Sequence, residues 1–289
     1  MAKLSSIGIR KAIHVLVYGP PKTGKTKLAG ELAEHGFNLD YFDLESGSNT
    51  LFNSLSDGAK DRVNLIRIPD TKDFPIAIET ALKVVKPGQF KICDKHGKVD
   101  CPLCKKEMSA ASWSEYQNTA RGDKDIVIFD SLTQLTNSAL ANIGAGKDDT
   151  WKPEWDDWHK QGAILDRFLS NVQNSAYHVI CISHDTLVET VDGKTEKLVP
   201  VCGTRNFSRN VAKYFDEVVY VQVRNKKHEA ASSTTYSMNI ITGSRSNTSI
   251  EDQKEHISLL PIFNNLGIMS NAARAEGILS QMSGGLKKP

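Results

Sequence analysis

Gly19-Pro-Pro-Lys-Thr-Gly-Lys-Thr26 (GPPKTGKT) follows a short apolar run, His14-Val-Leu-Val-Tyr18, and leads into Lys27-Leu-Ala-Gly-Glu-Leu-Ala33, which has helical spacing. Strand, glycine-bracketed loop and helix form the context that a phosphate-binding P-loop requires. Gly19 and Gly24 let the backbone curl so that successive N–H groups face a concavity for phosphate oxygens. The helix that follows adds its positive N-terminal end. In this arrangement Lys25 reaches the β- and γ-phosphates and the Thr26 hydroxyl ligates Mg²⁺. The expected nucleotide contacts are Gly19, Pro20, Pro21, Lys22, Thr23, Gly24, Lys25, Thr26 and Lys27. The bland alternative is a glycine-rich turn before an ordinary helix. All four signature residues and both flanks favour the phosphate loop, and ATP is the expected ligand.

Composition narrows the class. The 289 residues allow one large domain or two small ones, and 39% apolar with 24% charged residues suits a globular chain with a real core. A net charge of +2 means that any nucleic-acid surface is a local patch, not a property of the whole chain. No apolar run approaches the ~20 residues that span a bilayer, and MAKLSSIGIRKAI is too polar for a signal peptide. Five cysteines, three of them clustered, point to a reducing compartment and a metal in place of disulfides. The expected location is cytoplasmic.

The alternation of elements predicts an α/β fold with a mainly parallel sheet flanked by helices. Strands are expected at Asn38–Glu45, Arg62–Ile68, Asp125–Asp130 and Tyr177–His184, with helices at Phe74–Val85, Ser131–Asn142 and Asp157–Gln173. Ser112–Thr119 reads as a short helix. After residue 186, Asp192-Gly193 joins two strands in a hairpin. A short helix around Phe207–Tyr214 precedes a second strand pair, Glu217–Arg224 and Thr234–Ile241, joined by the basic loop Asn225–Glu229. The end, from about Asn264, reads as a weak helix and a tail.

Asp130 closes an apolar strand and fits the role of holding Mg²⁺ beside the P-loop. Capping the helix that begins at Ser131 is the structural alternative. Because Ser131 follows, and not Glu, the water-activating base has to come from elsewhere. Glu45, ending the second strand in FDLESG, is the best candidate, and Asp43 is a weaker substitute. His184 ends the VICISH strand, where a polar side chain can sense the γ-phosphate, although a structural histidine is nearly as good an account.

GPPKTGKT, FDLESG, IVIFDS and VICISH, in this order and spacing, resemble the RecA-like recombinase ATPases. The closest resemblance is to the compact phage-encoded group that includes Sak-type single-strand annealing proteins. The resemblance covers roughly residues 13–245 and implies a RecA-like P-loop core with a C-terminal β-hairpin extension. It implies DNA-stimulated ATP hydrolysis and single-stranded DNA binding by two loops, which match about Asn142–Glu154 and Thr186–Arg209. It also implies a homo-oligomer, filament or ring, with ATP at protomer interfaces and a basic residue acting in trans, for which Arg245, Arg205 and Arg209 are candidates. Lys194, Lys197, Arg205 and Arg209 are the expected phosphate contacts of the second loop, and Lys226 and Lys227 extend the patch. Here the sensor position holds His where RecA has Gln. A P-loop kinase of a small metabolite and a nucleotide-gated loader of a replication protein remain as rival readings.

Cys93-x2-His96-x4-Cys101-x2-Cys104 has the spacing of one tetrahedral Zn²⁺ site with no open position, hence a structural zinc knuckle. Reduced thiols in a polar loop are the alternative. Lys91, Lys95, Lys98, Lys105 and Lys106 surround the cluster. Trp151, Trp155 and Trp158 fall at helical spacing beside the first loop. Such a stripe favours packing against the core or a neighbouring subunit over base stacking. The expected division is one ATPase domain over 1–263, with a zinc-binding insertion at 89–110, and a tail at 264–289. That tail is a candidate contact for a single-strand-binding protein.

Overall fold

A computed structural model describes residues 12–263 except 73, 107–111, 120, 149, 190–192, 194–195, 233–238, 246–252 and 255–256. Its centre is a nine-stranded sheet. Six strands run parallel: β1 (His14–Tyr18), β2 (Asn38–Asp43), β3 (Val63–Arg67), β6 (Asp125–Asp130), β7 (His178–Ser183) and β10 (Glu217–Arg224). Their order across the sheet is β10-β1-β7-β6-β2-β3, so the strand ending in Asp130 lies one strand away from the P-loop strand. β1 and β7 are buried along their whole length, as expected of parallel strands covered on both faces.

Strand alternation divides the core in two. Leu16, Tyr18, Phe42, Val127, Phe129, Val179 and Cys181 face α4 (Ala77–Val84), α6 (Leu132–Ile143) and α7 (Trp155–Gln173). Val15, Val17, Leu39, Tyr41, Ile126, Ile128, Ile180 and Ile182 face α1 (Lys25–Gly30), α2 (Asn49–Ser54) and α3 (Asp57–Lys60). On the first face Phe129 stacks on Phe42 and meets Phe168 edge-on, each at 5.1 Å between ring centres. Such aromatic pairs contribute about 0.5–1.5 kcal/mol beyond their burial. Helices on both faces of a mainly parallel sheet are the architecture that the RecA-like resemblance implies.

Two antiparallel hairpins stand off this sheet. β4 (Gln89–Cys93) pairs with β5 (Trp113–Gln117), with α5 (Pro102–Lys106) between them. β8 (Asp185–Glu189) pairs with β9 (Glu196–Pro200) directly after β7, as the Asp192-Gly193 signal predicts, although Asp192 lies outside the described residues. α8 (Arg205–Asn210) follows, capped by the Thr204 hydroxyl.

Three expectations need correction. Residues 113–117 form a strand, not a helix: Tyr116 is buried against Phe90, and Lys91 pairs with Glu115 across the ladder at 3.4 Å. The partner of β10 is β11 (Lys227–Ala231), not Thr234–Ile241, most of which lies outside the described residues. The turn is only Asn225-Lys226, both at positive φ (50° and 64°). Paired positive φ values match the twist of a two-residue hairpin. Finally, α7 starts at Trp155, closed by a capping box between Glu154 and Asp157, so Trp151 is not on the helix. The polar lead-in, the tail and its helix lie outside the described residues, as does Lys194. Among the described residues no helix is long and apolar enough to cross a membrane.

Candidate nucleotide site and metal cluster

The carboxyl ends of β1, β2, β6 and β7 converge, and that is where open parallel sheets bind ligands. Gly19 (φ 153°) and Gly24 (φ 87°) bracket the loop, and Gly24 is the N-cap of α1. A Cβ on Gly19 would lie 1.9 Å from the Val221 carbonyl oxygen of β10. Only glycine fits there. Gly19→Ala is therefore expected to displace the loop, lower the thermal unfolding midpoint at a cost of about 1–3 kcal/mol and weaken nucleotide binding. Calorimetry and a fluorescent ATP analogue check both.

Lys25 is buried and its Nζ donates to the carbonyls of Gly19 (2.8 Å) and Pro20 (2.7 Å), with His184 Nδ1 at 3.5 Å. Burial lowers the Lys25 pKa, against the pull of Asp130, Asp185 and Glu45. The Thr26 hydroxyl donates to Asp130 Oδ2 at 2.7 Å, and the Tyr41 hydroxyl donates to the same oxygen at 2.6 Å. Burial raises the Asp130 pKa although both hydrogen bonds oppose it. Thr26 and Asp130 thus bring two hard oxygen donors together, a set suited to Mg²⁺. Ser131 caps α6 through Gln134 N–H at 3.1 Å, so Asp130 is free of the capping role.

Glu45 is held at both oxygens. The Ser131 hydroxyl donates to Oε1, and His184 Nε2 lies 3.3 Å from Oε2. With Lys25 on Nδ1 and Glu45 on Nε2, one neutral tautomer, protonated at Nε2, satisfies both contacts. Burial pushes the Glu45 pKa up, but the hydrogen bonds from His184 and Ser131 and the nearby charges outweigh it, and the net shift is down. Asp43 is committed elsewhere: it accepts the N–H groups of Gly47 (2.9 Å) and Ser48 (3.1 Å).

Arg245 lies at the opposite end of β1. Its N–H donates to Asp216 O (2.8 Å) and its guanidinium to Lys213 O (2.7 Å), beside the start of β1 at His14. It does not meet its own P-loop. Around the second hairpin, Arg209 donates to Glu189 O, and Lys197 is paired with Val188, the neighbouring residue of β8. Arg205 is exposed on the first turn of α8. The His184 backbone is tied to this region: Val201 N–H donates to His184 O at 2.8 Å, and the Ser183 hydroxyl donates to Val201 O at 3.0 Å.

Sequence reasoning missed Tyr41, Ser131, Thr133 and His228. Thr133 Oγ1 accepts the His184 N–H at 2.9 Å. His228 of β11 sits 3.0 Å from the Thr23 carbonyl through Nδ1, covering the outer side of the P-loop. Only Ser131 carried a signal, as the residue after Asp130.

Cys93, His96, Cys101 and Cys104 bring four ligand atoms within 4.8 Å of one another. His96 Nδ1 is 3.6, 3.5 and 3.2 Å from the sulfurs of Cys93, Cys101 and Cys104, and Cys93 and Cys104 are 3.0 Å apart. Zn–S bonds of about 2.3 Å put tetrahedral ligand atoms ~3.5–3.8 Å apart, so a small opening admits the ion. The contact with Cys93 and burial push the Cys104 thiol up to about 12, a crowding that a divalent cation relieves. Three of the surrounding lysines are neutralised, Lys91 by Glu115, Lys98 by Glu79 and Lys105 by Asp100. The cluster docks on α4 and the end of β3: the Thr80 hydroxyl donates to Gly97 O at 2.9 Å, and Gly97 lies against Ile68 and Pro69. Cys181 and Cys202 are buried in the main core.

A family model described as "AAA domain" matches residues 11–249, which include the P-loop, all four strand ends and the cysteine cluster. The chain belongs to the AAA domain family. Membership makes nucleotide binding and ATP hydrolysis the activity to expect of the convergent site. Among solved structures, the chain is similar to the crystal structure of the RadB recombinase, at 15% identity and a TM-score of 0.40, over 76% of this chain and 79% of that one. No curated protein sequence matches the chain.

Proposed function

We propose that the chain is an ATPase that binds single-stranded DNA and promotes annealing or recombination, in the manner of the Sak-type group. The observation that carries the reading is the contact chain Lys25–His184–Glu45, joined through the His184 backbone to the hairpin that carries Lys197 and accepts Arg209 of α8 at Glu189 O. Lys25 and the P-loop N–H groups hold the triphosphate. Thr26 and Asp130 would hold Mg²⁺, which would supply charge neutralisation at the phosphates. Glu45 takes a proton from the attacking water, and Ser131 and His184 fix its orientation. His184 senses the γ-phosphate: when Lys25 turns from Nδ1 to phosphate, His184 loses a partner, and the strain falls on Val201 and the hairpin beyond it.

DNA contacts come from Lys194, Lys197, Arg205 and Arg209. The active form is a homo-oligomer, with Arg245, which lies at the far end of β1 from its own P-loop, completing the site of a neighbouring protomer. Zinc on Cys93, His96, Cys101 and Cys104 holds the β4–β5 hairpin. This hairpin docks on α4 and the carboxyl end of β3, four strand positions from the P-loop strand.

The test is steady-state ATP hydrolysis with and without single-stranded DNA, with Lys25→Ala as control. Strong stimulation, lost in the control, is the expected result. Nucleotide binding with no DNA-stimulated turnover would favour the loader. Indifference to DNA, with no DNA binding, would favour the kinase.

A further inference from the structure

Trp155 leaves 77% of its surface in water. Large aromatic side chains gain most from burial, so one standing open at a functional edge calls for a partner. Trp151 behaves differently, packing back on Gly144 with Lys147 4.6 Å above its ring, and Trp158 is half-buried. Packing within the chain itself therefore accounts for two of the three. Trp155 instead meets His159 edge-on, at 4.9 Å and 72°.

These rings line a groove of about 670 Å³ between the first half of α7 and α8. Trp155, Trp158, His159 and Gly162 recur at helical spacing and form its first wall and floor. The small Gly162 leaves depth beside the rings. Arg205 and Lys213, both exposed, come from the opposite side. Of the groove's lining residues only Asp166 is acidic, and it accepts the Tyr214 hydroxyl; nearby, buried Asp157 caps α7 and pairs with Lys147 and Lys160, and exposed Asp156 follows Trp155 outside the lining. The groove thus presents an aromatic platform opposite cations. An apolar partner helix would cover the rings but desolvate Arg205 and Lys213 without compensation. A single strand offers π-faces and phosphates together.

We propose that this groove is a base-stacking subsite for single-stranded nucleic acid: Trp155 stacks an unpaired base and Arg205 holds an adjacent phosphate. This rests on the DNA-binding reading above and adds to it the element that grips the base. The far wall is joined to the nucleotide site at two points. Arg205 lies four residues after Val201, which bonds to His184, and Gly203 N–H donates to Thr136 of α6 at 3.2 Å. Gln161 of α7 donates to the Thr136 carbonyl at 2.9 Å, so α6 holds both walls of the groove beside the nucleotide site.

The experiment compares full-length wild type and Trp155→Ala by anisotropy, using a labelled oligo(dT) and an abasic phosphodiester oligomer of equal length. Trp155→Ala is expected to weaken oligo(dT) binding about 5- to 150-fold, the range for one lost stack, while leaving the abasic oligomer unaffected. Trp155→Phe should recover most of the loss. Arg205→Ala should weaken both oligomers and reduce the salt slope by about one. Equal binding of oligo(dT) by wild type and Trp155→Ala overturns the subsite while leaving the DNA-binding reading intact. So does dissociation of an oligomer by Trp155→Ala with unchanged DNA affinity per chain, which would make the groove an interface between copies. Wild type binding neither oligomer sinks the DNA-binding reading itself, and the subsite with it.

Discussion

Glu45→Gln is expected to lower ATP hydrolysis about 10²- to 10⁴-fold, the usual contribution of a positioned general base, while nucleotide binding stays near wild type. The reason lies in how the carboxylate is held. Ser131 donates to one oxygen and His184 Nε2 faces the other, so the group is oriented without being neutralised. Glutamine keeps the shape and can still accept from Ser131, but it has no basic oxygen to receive a proton from water. Its amide also brings N–H toward His184 Nε2. To relieve the conflict of two donors, His184 would have to move its proton to Nδ1, where it meets the Lys25 ammonium at 3.5 Å. The variant should therefore lose turnover and also blunt any response of hydrolysis to DNA. His184→Ala separates the two effects. It leaves the base in place and should keep part of the basal rate while losing the DNA response. Single-turnover hydrolysis, with binding of a fluorescent ATP analogue measured in parallel, decides between them. Equal loss of binding and turnover in Glu45→Gln would show that Glu45 holds the site together and is not its base.

The same contacts set a pH expectation. Burial tends to protonate Glu45, but His184, Ser131 and Lys25 hold its pKa below the ordinary value of about 4.3. Its ionised, working form persists as the pH falls through the usual carboxylate range. Removing the Ser131 hydroxyl with Ser131→Ala takes away one of those stabilising bonds, so the acid limb of the rate profile should move upward in pH.

What the sequence disclosed of this site follows from which contacts are local. The P-loop is contiguous, and its glycines, Lys25 and Thr26 sit at spacings fixed by one loop and one helix. The strands ending in Asp130 and His184 were legible because parallel strands covered on both faces read as unbroken apolar runs. β5 was not, because Trp113-Ser-Glu-Tyr-Gln117 has too little alternation by itself; its strand character comes from pairing with β4 and from Tyr116 meeting Phe42 of the main core. The β10–β11 turn escaped because Asn225-Lys226 lacks the glycine that marks most two-residue hairpins. Tyr41 bonds to Asp130 only through the register in which Asp43 lies opposite Asp130. His228 reaches Thr23 across 205 residues of chain. Neither contact has a local signature. The three tryptophans do not form one helical stripe, because Pro153 and the Glu154 cap start the helix after Trp151.

Removing zinc is expected to melt the β4–β5 hairpin from Cys93 to Lys106 while leaving the parallel sheet folded. Structural zinc supplies apparent binding free energies of about 10–16 kcal/mol in small peptides, far more than this segment gains by itself. Beyond the ligands, Trp113 packs against the cysteines and Phe74 meets His96 edge-on at 5.9 Å. Ile92 and Tyr116 tie the base of the hairpin to the main core, and within the tip Val99 makes the same attachment, so the melting should centre on the segment from Asp100 to Lys106. A chelator or Cys104→Ser should therefore release one equivalent of zinc and abolish amide-exchange protection at the tip. Acidification should do the same, because protons compete for the thiolates. The consequence for the rest of the molecule runs through Gly97, whose carbonyl accepts the Thr80 hydroxyl and whose backbone lies against Ile68 and Pro69. Next in the chain, Asp70 holds the start of α4 through Ala77 N–H at 2.7 Å and reaches α6 through Gln134 and Ser138 at 2.8 and 2.9 Å. Loss of the tip should loosen the start of α4 but stop at this carboxylate, because its bonds do not pass through the metal. Hydrolysis at Glu45 should accordingly survive loss of zinc, measured in Cys104→Ser or after zinc removal with Mg²⁺ restored in excess. Purified protein without zinc, and exchange at the tip indifferent to chelator, would show that the three thiols and His96 hold the hairpin without a metal.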